Sequence, residues 1–286
     1  MSVVKYYTTA SGWEVFHYEC CESTNKEAKK LISKIDSGEL GEESKEIKKV
    51  IIGEQQSAGY GTNVHKWASP PGNVYMSVIL SNLKPTEAIL GNDAPLNKLF
   101  GRLAITTSML ILESIRNALN ARLCDVLEGE QFGEERLFKQ ADVKIKWPND
   151  LFLDGRKIAG VLVEAEGDFV IIGLGINVLT APVLEGERKT SCLFDYAQSQ
   201  RSDELTSFLC MSVRELIVYD LLEGFDKIHT LIFEHFQKIK QTWESVSFEI
   251  NKEVERASLT GIFRWLGEDG EMVLETADKQ LHAIWK

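Results

Sequence analysis

The chain has 286 residues, 44% of them hydrophobic and 26% charged, and a formal net charge of −11. That length accommodates one large domain and a small one. The acidic balance argues against a nucleic-acid binder. No signal-peptide pattern and no run of 18 apolar residues is present, so a cytoplasmic protein is expected.

In chain order, Thr24-Asn25-Lys26-Glu27 reads as a capping box opening a helix through Leu31 and Ile32. A charged stretch, 36–49, reads as a solvated loop or helix edge. A strand at 49–52 is followed by a long glycine-bearing loop at 53–67, and a second strand resumes at 73–80. Residues 100–119 form a mostly apolar helix expected to lie against a sheet. A second charged stretch covers 128–139. Short apolar runs then follow at 143–147, 151–153, 158–164 and 169–174. They are broken by Asp-Gly and Gly-Asp signals, the pattern of an antiparallel hairpin series. A polar connection, 183–201, leads to helices at 203–224 and 225–242, with Gly224 expected to end the first. After Trp243 the pattern changes to strands at 247–250, 255–264, 271–275 and 280–285, with a hairpin turn at Gly267-Glu268-Asp269-Gly270. The expected division is therefore 1–242 and a β tail, 243–286. The tail is too small to be stable alone.

Several features carry chemistry. Pro148 ends the 143–147 run because it cannot donate to a ladder, which puts Lys146 near a strand end and within reach of a cleft. Asn149 and Asp150 then favour a turn, and Trp-Pro-Asn-Asp serves equally as a turn and nothing more. Gly173 and Gly175 weaken their strand unless a ligand or another backbone approaches closely. They lack the third glycine and the helix start of a dinucleotide fingerprint. Long glycine-bearing loops such as 53–67 are usually functional, and Trp67 within it either covers a ligand or plugs the core. Lys157 reads as a solvated lysine beside a turn. Five cysteines, Cys20, Cys21, Cys124, Cys192 and Cys210, show no metal spacing and read as reduced thiols. The histidines are scattered.

These segments together resemble the biotin protein ligases, also called holocarboxylase synthetases, of the biotin/lipoate protein ligase family. Four motifs match in order. They are Glu22-Ser23-Thr24-Asn25; the loop from Gln56 to Trp67; Lys146-Trp147-Pro148-Asn149-Asp150 with Arg156-Lys157-Ile158-Ala159-Gly160; and the segment from Gly173 to Asn177. The resemblance implies an α+β fold: a mixed, largely antiparallel sheet flanked by helices, similar to class II aminoacyl-tRNA synthetase cores, with a small SH3-like β barrel at the C-terminus. It implies synthesis of biotinyl-5′-AMP from biotin and ATP, with Mg²⁺ held through the phosphates and not in a protein cage. Transfer to a lysine on a carboxylase's biotin carrier domain follows, by a monomer or homodimer. Lys146 takes the catalytic role. Biotin contacts fall on Ser23, Thr24, Asn25, Gln56, Gly59, Tyr60, Gly61, Thr62, Trp67, Lys146 and Gly160. Adenylate contacts fall on Gly61, Thr62, Trp67, Asn149, Gly173, Gly175 and Asn177. The first motif begins at Glu22, so no room is expected for the helix–turn–helix repressor domain of some relatives.

The chain departs from the family pattern in the loop. Many relatives carry arginines where Tyr60, Thr62 and His65 stand, and Val64 replaces a glycine, which suggests a different loop conformation. Thr lacks the bidentate, charge-assisted bonds of a guanidinium, so weak retention of the adenylate is expected, with Lys66 or His65 compensating in part. A lipoate or octanoate ligase of the same fold is the alternative enzyme, although its usual Arg-Arg-x-Ser-Gly-Gly loop is absent. A non-catalytic biotin or nucleotide binder is the alternative of another class.

Overall fold

A computed structural model of the chain describes residues 5–40, 48–62, 65–81, 83, 96–127, 143–182, 189–194 and 203–285, without the side chains of 119–127 and 203–211. The expected charged segment 128–139, most of 183–201, Val64, and the Cys124 and Cys210 thiols lie outside what is described.

Apolar residues fill the whole of β8 (Phe169–Ile176), because both faces of its sheet are covered. Phe169 and Ile171 pack on one face with Ala28, Leu31, Ile32 and Ile35. Val170, Ile172, Leu174 and Ile176 join the larger core on the other face with Leu103, Leu112 and Ile115. The next residues of the first set are Gly173 and Gly175, so the alternation that builds the core also leaves a trough beyond it.

β1 (Lys5–Thr8), β2 (Glu14–Cys21), β3 (Lys49–Gln56), β4 (Val74–Leu80), β5 (Val143–Lys146), β6 (Asp150–Leu153), β7 (Arg156–Glu166) and β8 form an eight-stranded sheet. Its order is β1-β2-β3-β4-β8-β7-β6-β5. β2 and β3 run parallel, joined by α1 (Thr24–Asp36), which lies on the first face. The other described pairings are antiparallel. α2 (Leu96–Leu127), with α3 (Asp203–Phe225) packed on it, covers the opposite face. The expected mixed, largely antiparallel sheet flanked by helices is therefore observed.

Gly224 does not end its helix. It lies inside the last turn of α3, where an added Cβ would stand 2.7 Å from Leu110 of α2, so it is small for helix packing. The helix expected at 225–242 is two: α4 (Ile228–Phe233) and α5 (Phe236–Val246), which runs past the expected domain boundary. The strand expected at 247–250 is only an isolated bridge from Ser247 to Ile145. That expected at 255–264 splits into β9 (Glu253–Arg256) and β10 (Leu259–Leu266), turned by Ala257 and Ser258 at φ 51° and 63°. β11 (Met272–Glu275) and β12 (Leu281–Ile284) complete a four-stranded antiparallel sheet in the order β12-β11-β10-β9.

Candidate active site

The motifs converge because of strand register. Lys146 pairs with Asp150, Asp150 with Gly160, and Gly160 with Gly175, one row across β5, β6, β7 and β8. Three strand spacings make that row about 14 Å long. A type I′ turn at Asp154 (φ 49°) and Gly155 (φ 75°) sets the β6–β7 register. A bulge at Leu151/Phe152 then pairs Leu151 with Ala159 but Phe152 with Lys157. The extra residue in β7 flips the local alternation and brings Lys157 to the same face as Gly160.

Along this row lies a cavity of about 700 Å³. Gly160 and Gly175 floor it, and Trp67 from the β3–β4 loop lies on Gly175, where a Cβ would stand 2.6 Å from the indole. At Gly173 a Cβ would stand 2.1 Å from Asn25 Oδ1. The two glycines thus admit side chains, Trp67 and Asn25, rather than another backbone. The loop carrying Trp67 is anchored by its own backbone: Ala58 N–H donates to Glu22 O at 2.9 Å and Trp67 N–H to Gly59 O at 2.8 Å.

One end of the cavity is a row of hydrogen-bonded polar groups. Gln56 Oε1 accepts the Thr24 backbone N–H at 2.8 Å, and Gln56 Nε2 donates to Ser69 Oγ at 2.8 Å. Thr24 and Asn25 both contact the buried Ser77 hydroxyl, at 2.8 and 2.5 Å. The expected capping box is not formed. Ser23 is the N-cap and makes no side-chain cap bond, while the Thr24 side chain turns inward to Gln56 and Ser77. Glu164 of β7 accepts hydrogen bonds from Asn25, Lys29 and Tyr60. Burial works to raise its carboxyl, but these donors outweigh burial and hold it below the usual carboxylate range. Burial first, and the Glu164 contact second, push the Tyr60 phenol up.

The other end is cationic. Lys66, Lys146, Lys157, Lys189 and Arg256 line it, and Asp150 is the one carboxylate among the described lining residues. Asp150 Oδ1 is 2.7 Å from Lys157 Nζ, which also stands 5.1 Å from the Trp67 ring centroid. Arg256 reaches in from β9, held at 2.6 Å by the buried Glu249. No salt bridge engages Lys146 among the described residues. Two buried polar atoms of the lining, Trp67 Nε1 and Asn177 Oδ1, have no hydrogen-bond partner among the described residues. Buried polar atoms are nearly always paired, so these two retain bonding capacity that no described protein group uses.

Residues 18–177 match the profile of the Biotin/lipoate A/B protein ligase family. The chain belongs to that family. The "Bifunctional ligase/repressor BirA" of Bacillus subtilis (strain 168) is 27% identical over 279 residues, covering 93% of this chain and 70% of the relative. Its Escherichia coli (strain K12) namesake is 26% identical over 264 residues, covering 89% and 67%. Among solved structures, the biotin protein ligase of Aquifex aeolicus, in complex with biotin and ATP, superposes with a TM-score of 0.57 at 20% identity over 95% of each chain. At that identity the likeness speaks for a shared fold.

Of the residues expected from the family motifs, Ser23, Thr24, Asn25, Gln56, Tyr60, Gly61, Thr62, Trp67, Lys146, Gly160, Gly173, Gly175 and Asn177 all line the one cavity. Two expected residues stand behind its wall. Gly59 packs where a Cβ would meet Trp67 O at 2.6 Å and Ser69 Oγ at 2.7 Å. Asn149 is buried, with its amide donated to Val161 O, so it secures the turn onto β7. Sequence reasoning missed three groups. Lys157 is not a solvated lysine, because the bulge carries it inward. Arg256 comes from the second sheet, 79 residues beyond the last motif residue, Asn177, with no local signal. Glu164 ends an apolar run in a way that resembles any strand edge.

Proposed function

We propose that the protein is an ATP-dependent biotin protein ligase, with 1–242 as its catalytic part and 243–286 as a small β domain that completes the site. The observation carrying this reading is the union, in one cavity, of a hydrogen-bonded polar end at Thr24 and Gln56 with a cationic end at Lys66, Lys146, Lys157, Lys189 and Arg256. The polar end suits the ureido ring of biotin, which carries both donors and acceptors. A dithiolane ring offers neither, which disfavours the lipoate alternative. The cationic end suits a carboxylate meeting a triphosphate. The unpartnered Trp67 donor and Asn177 acceptor among the described lining residues suit the nucleoside.

In the first step a biotin carboxylate oxygen attacks the α-phosphorus of ATP. A phosphorus–oxygen bond forms, the bond to pyrophosphate breaks, and pyrophosphate leaves with that electron pair. Lys146 stabilises charge where the two anions meet. In the second step the neutral amine of an acceptor lysine on a carboxylase's biotin carrier domain attacks the acyl carbon. The amide forms, AMP leaves, and the amine proton is lost to solvent. No enzyme nucleophile is required. Magnesium enters with the triphosphate as part of the substrate. The one carboxylate among the described lining residues, already engaged by Lys157, suits a hydrated ion carried on phosphate oxygens.

The test is incubation with biotin, MgATP and a biotin carboxyl carrier domain, followed by streptavidin detection. The expected outcome is ATP-dependent labelling of the carrier domain. Biotin binding without pyrophosphate release would instead identify a binder that has lost the chemistry.

A further inference from the structure

Glu164 collects more donors than its place behind the lining residues Asn25 and Tyr60 requires. Its Oε2 accepts Tyr60 O–H at 2.8 Å and Asn25 Nδ2 at 2.6 Å, and its Oε1 accepts Lys29 Nζ at 2.7 Å. These donors come from the β3–β4 loop and from α1, so one carboxylate of β7 binds two separate parts of the cavity wall. We propose that Glu164 is a positioning residue for biotin, fastening the start of the 57–67 loop through Tyr60 and setting the proton order of the polar row through Asn25. The proposal rests on the ligase reading of this cavity.

The proton order follows from counting hydrogens. Asn25 gives its Nδ2 to the carboxylate, which turns its Oδ1 to Ser77 at 2.5 Å. A serine hydroxyl has one proton, and Ser77 spends it on Asn25. The 2.8 Å contact between Ser77 and Thr24 then requires Thr24 as donor. The competing Thr24–Gln56 contact is longer, 3.3 Å, and Gln56 Oε1 already receives the Thr24 backbone N–H at 2.8 Å. Thr24, Ser77 and Asn25 therefore all point their donors toward Glu164. Thr24 lines the cavity, and with its proton given to Ser77 its oxygen keeps a lone pair to accept a ureido N–H. A carboxylate sustains this order because it can only accept; a neutral amide at 164 would permit either direction.

Tyr60 supplies the second half. Its hydroxyl joins Glu164, and six residues on, Lys66 bridges back to Tyr60 before the chain reaches Trp67. Holding Tyr60 thus holds both strands of the loop base.

Four variants test this, with hydrogen exchange in the ligand-free protein and biotin binding as readouts. Tyr60→Phe removes one hydroxyl from a half-buried ring. It is expected to speed exchange of the Gly61 and Trp67 amides, and dissociation of biotin, by about tenfold, roughly 1.4 kcal/mol. Tyr60→Arg is expected to restore both, since a guanidinium reaches the same acceptor. Glu164→Gln is expected to raise the biotin KM about tenfold while kcat stays within about twofold. Lys29→Met, which spares Tyr60 and Asn25, leaves loop exchange unchanged. Loop exchange unaltered by Tyr60→Phe would overturn the fastening, and an unaltered biotin KM in Glu164→Gln would overturn the proton order. Should the unmodified protein bind no biotin, the ligase reading fails, while the exchange comparison still decides the Tyr60–Glu164 contact.

Discussion

Lys146 ends β5 with its side chain on the cavity and no salt bridge among the described residues. A cation that compensates no protein carboxylate is available to substrate anions. Lys146→Ala is expected to slow pyrophosphate release about 10²- to 10³-fold, the usual range for losing one preorganised charge contact. Near-normal release in that variant would remove Lys146 from the chemistry. Thr62 also lines the cavity, in an arginine's place. Thr62→Arg is expected to slow dissociation of biotinyl-5′-AMP, by direct off-rate measurement; an unchanged rate would count against the account of weak retention. Away from the site, Glu54 takes a 2.6 Å hydrogen bond from His17 and another from Arg214. The His17 bond chiefly, then Arg214, hold its carboxyl down at about 2 against the opposing effect of burial. Its folded pKa is thus below its unfolded value of about 4.3, so the unfolded chain binds the proton more readily. The contribution is present above about pH 4.3 and is lost as pH falls toward 2. The stability difference between pH 5 and pH 3, from urea denaturation, should therefore shrink in Glu54→Gln.

At the scale of elements, β8 shows both what the sequence discloses and what it hides. Its apolar run and the Asp154-Gly155 turn announce a hairpin series, and the register of that series assembles the motif residues. The purpose of Gly173 and Gly175 is less legible, because glycine signals a close approach without saying what approaches. It is Asn25 for one and Trp67 for the other. Gly175→Ala should push the indole off the floor, weakening nucleotide binding and altering tryptophan emission. Gly173→Ala should displace Asn25, weaken biotin binding and destabilise the fold by about 1–3 kcal/mol. Equal effects on both ligands would contradict this division of the cavity. The β9–β10 turn was hidden for a different reason: Ala257 and Ser258 adopt positive φ without the Gly or Asn that advertises such a turn. Lys157 reads as solvated from the sequence because a bulge inverts strand parity and leaves no mark in a period-two pattern.

The whole molecule is tied together at the strand end that presents Lys146. The Trp147 backbone N–H donates to Glu249 at 3.1 Å, and its indole donates to Gly270 O at 2.9 Å. The same 267–270 turn sends Asp269 to Arg102 of α2 at 2.8 Å. Phe263, Leu266, Met272, Leu274 and Ile284 of the small sheet are buried in the core that also holds Trp147, Leu103 and Trp243. A sheet of this size has little core of its own, and here its inner face is the outer layer of the larger core. Unfolding is therefore expected as one cooperative calorimetric transition. A separate early transition of the small sheet, with biotin ligation retained, would show the two parts to be independent. Glu249 is the sharpest probe of the connection. It accepts Trp147 N–H with one oxygen and Arg256 with the other, at 2.6 Å. Glu249→Ala leaves a buried N–H without an acceptor and a guanidinium at the cavity without its partner, expected to cost about 3 kcal/mol. Because Trp147 adjoins Lys146, adenylate formation should also fall at temperatures where the variant remains folded. Loss of stability alone, with pyrophosphate release unchanged, would mean that the small sheet supports the fold without shaping the site.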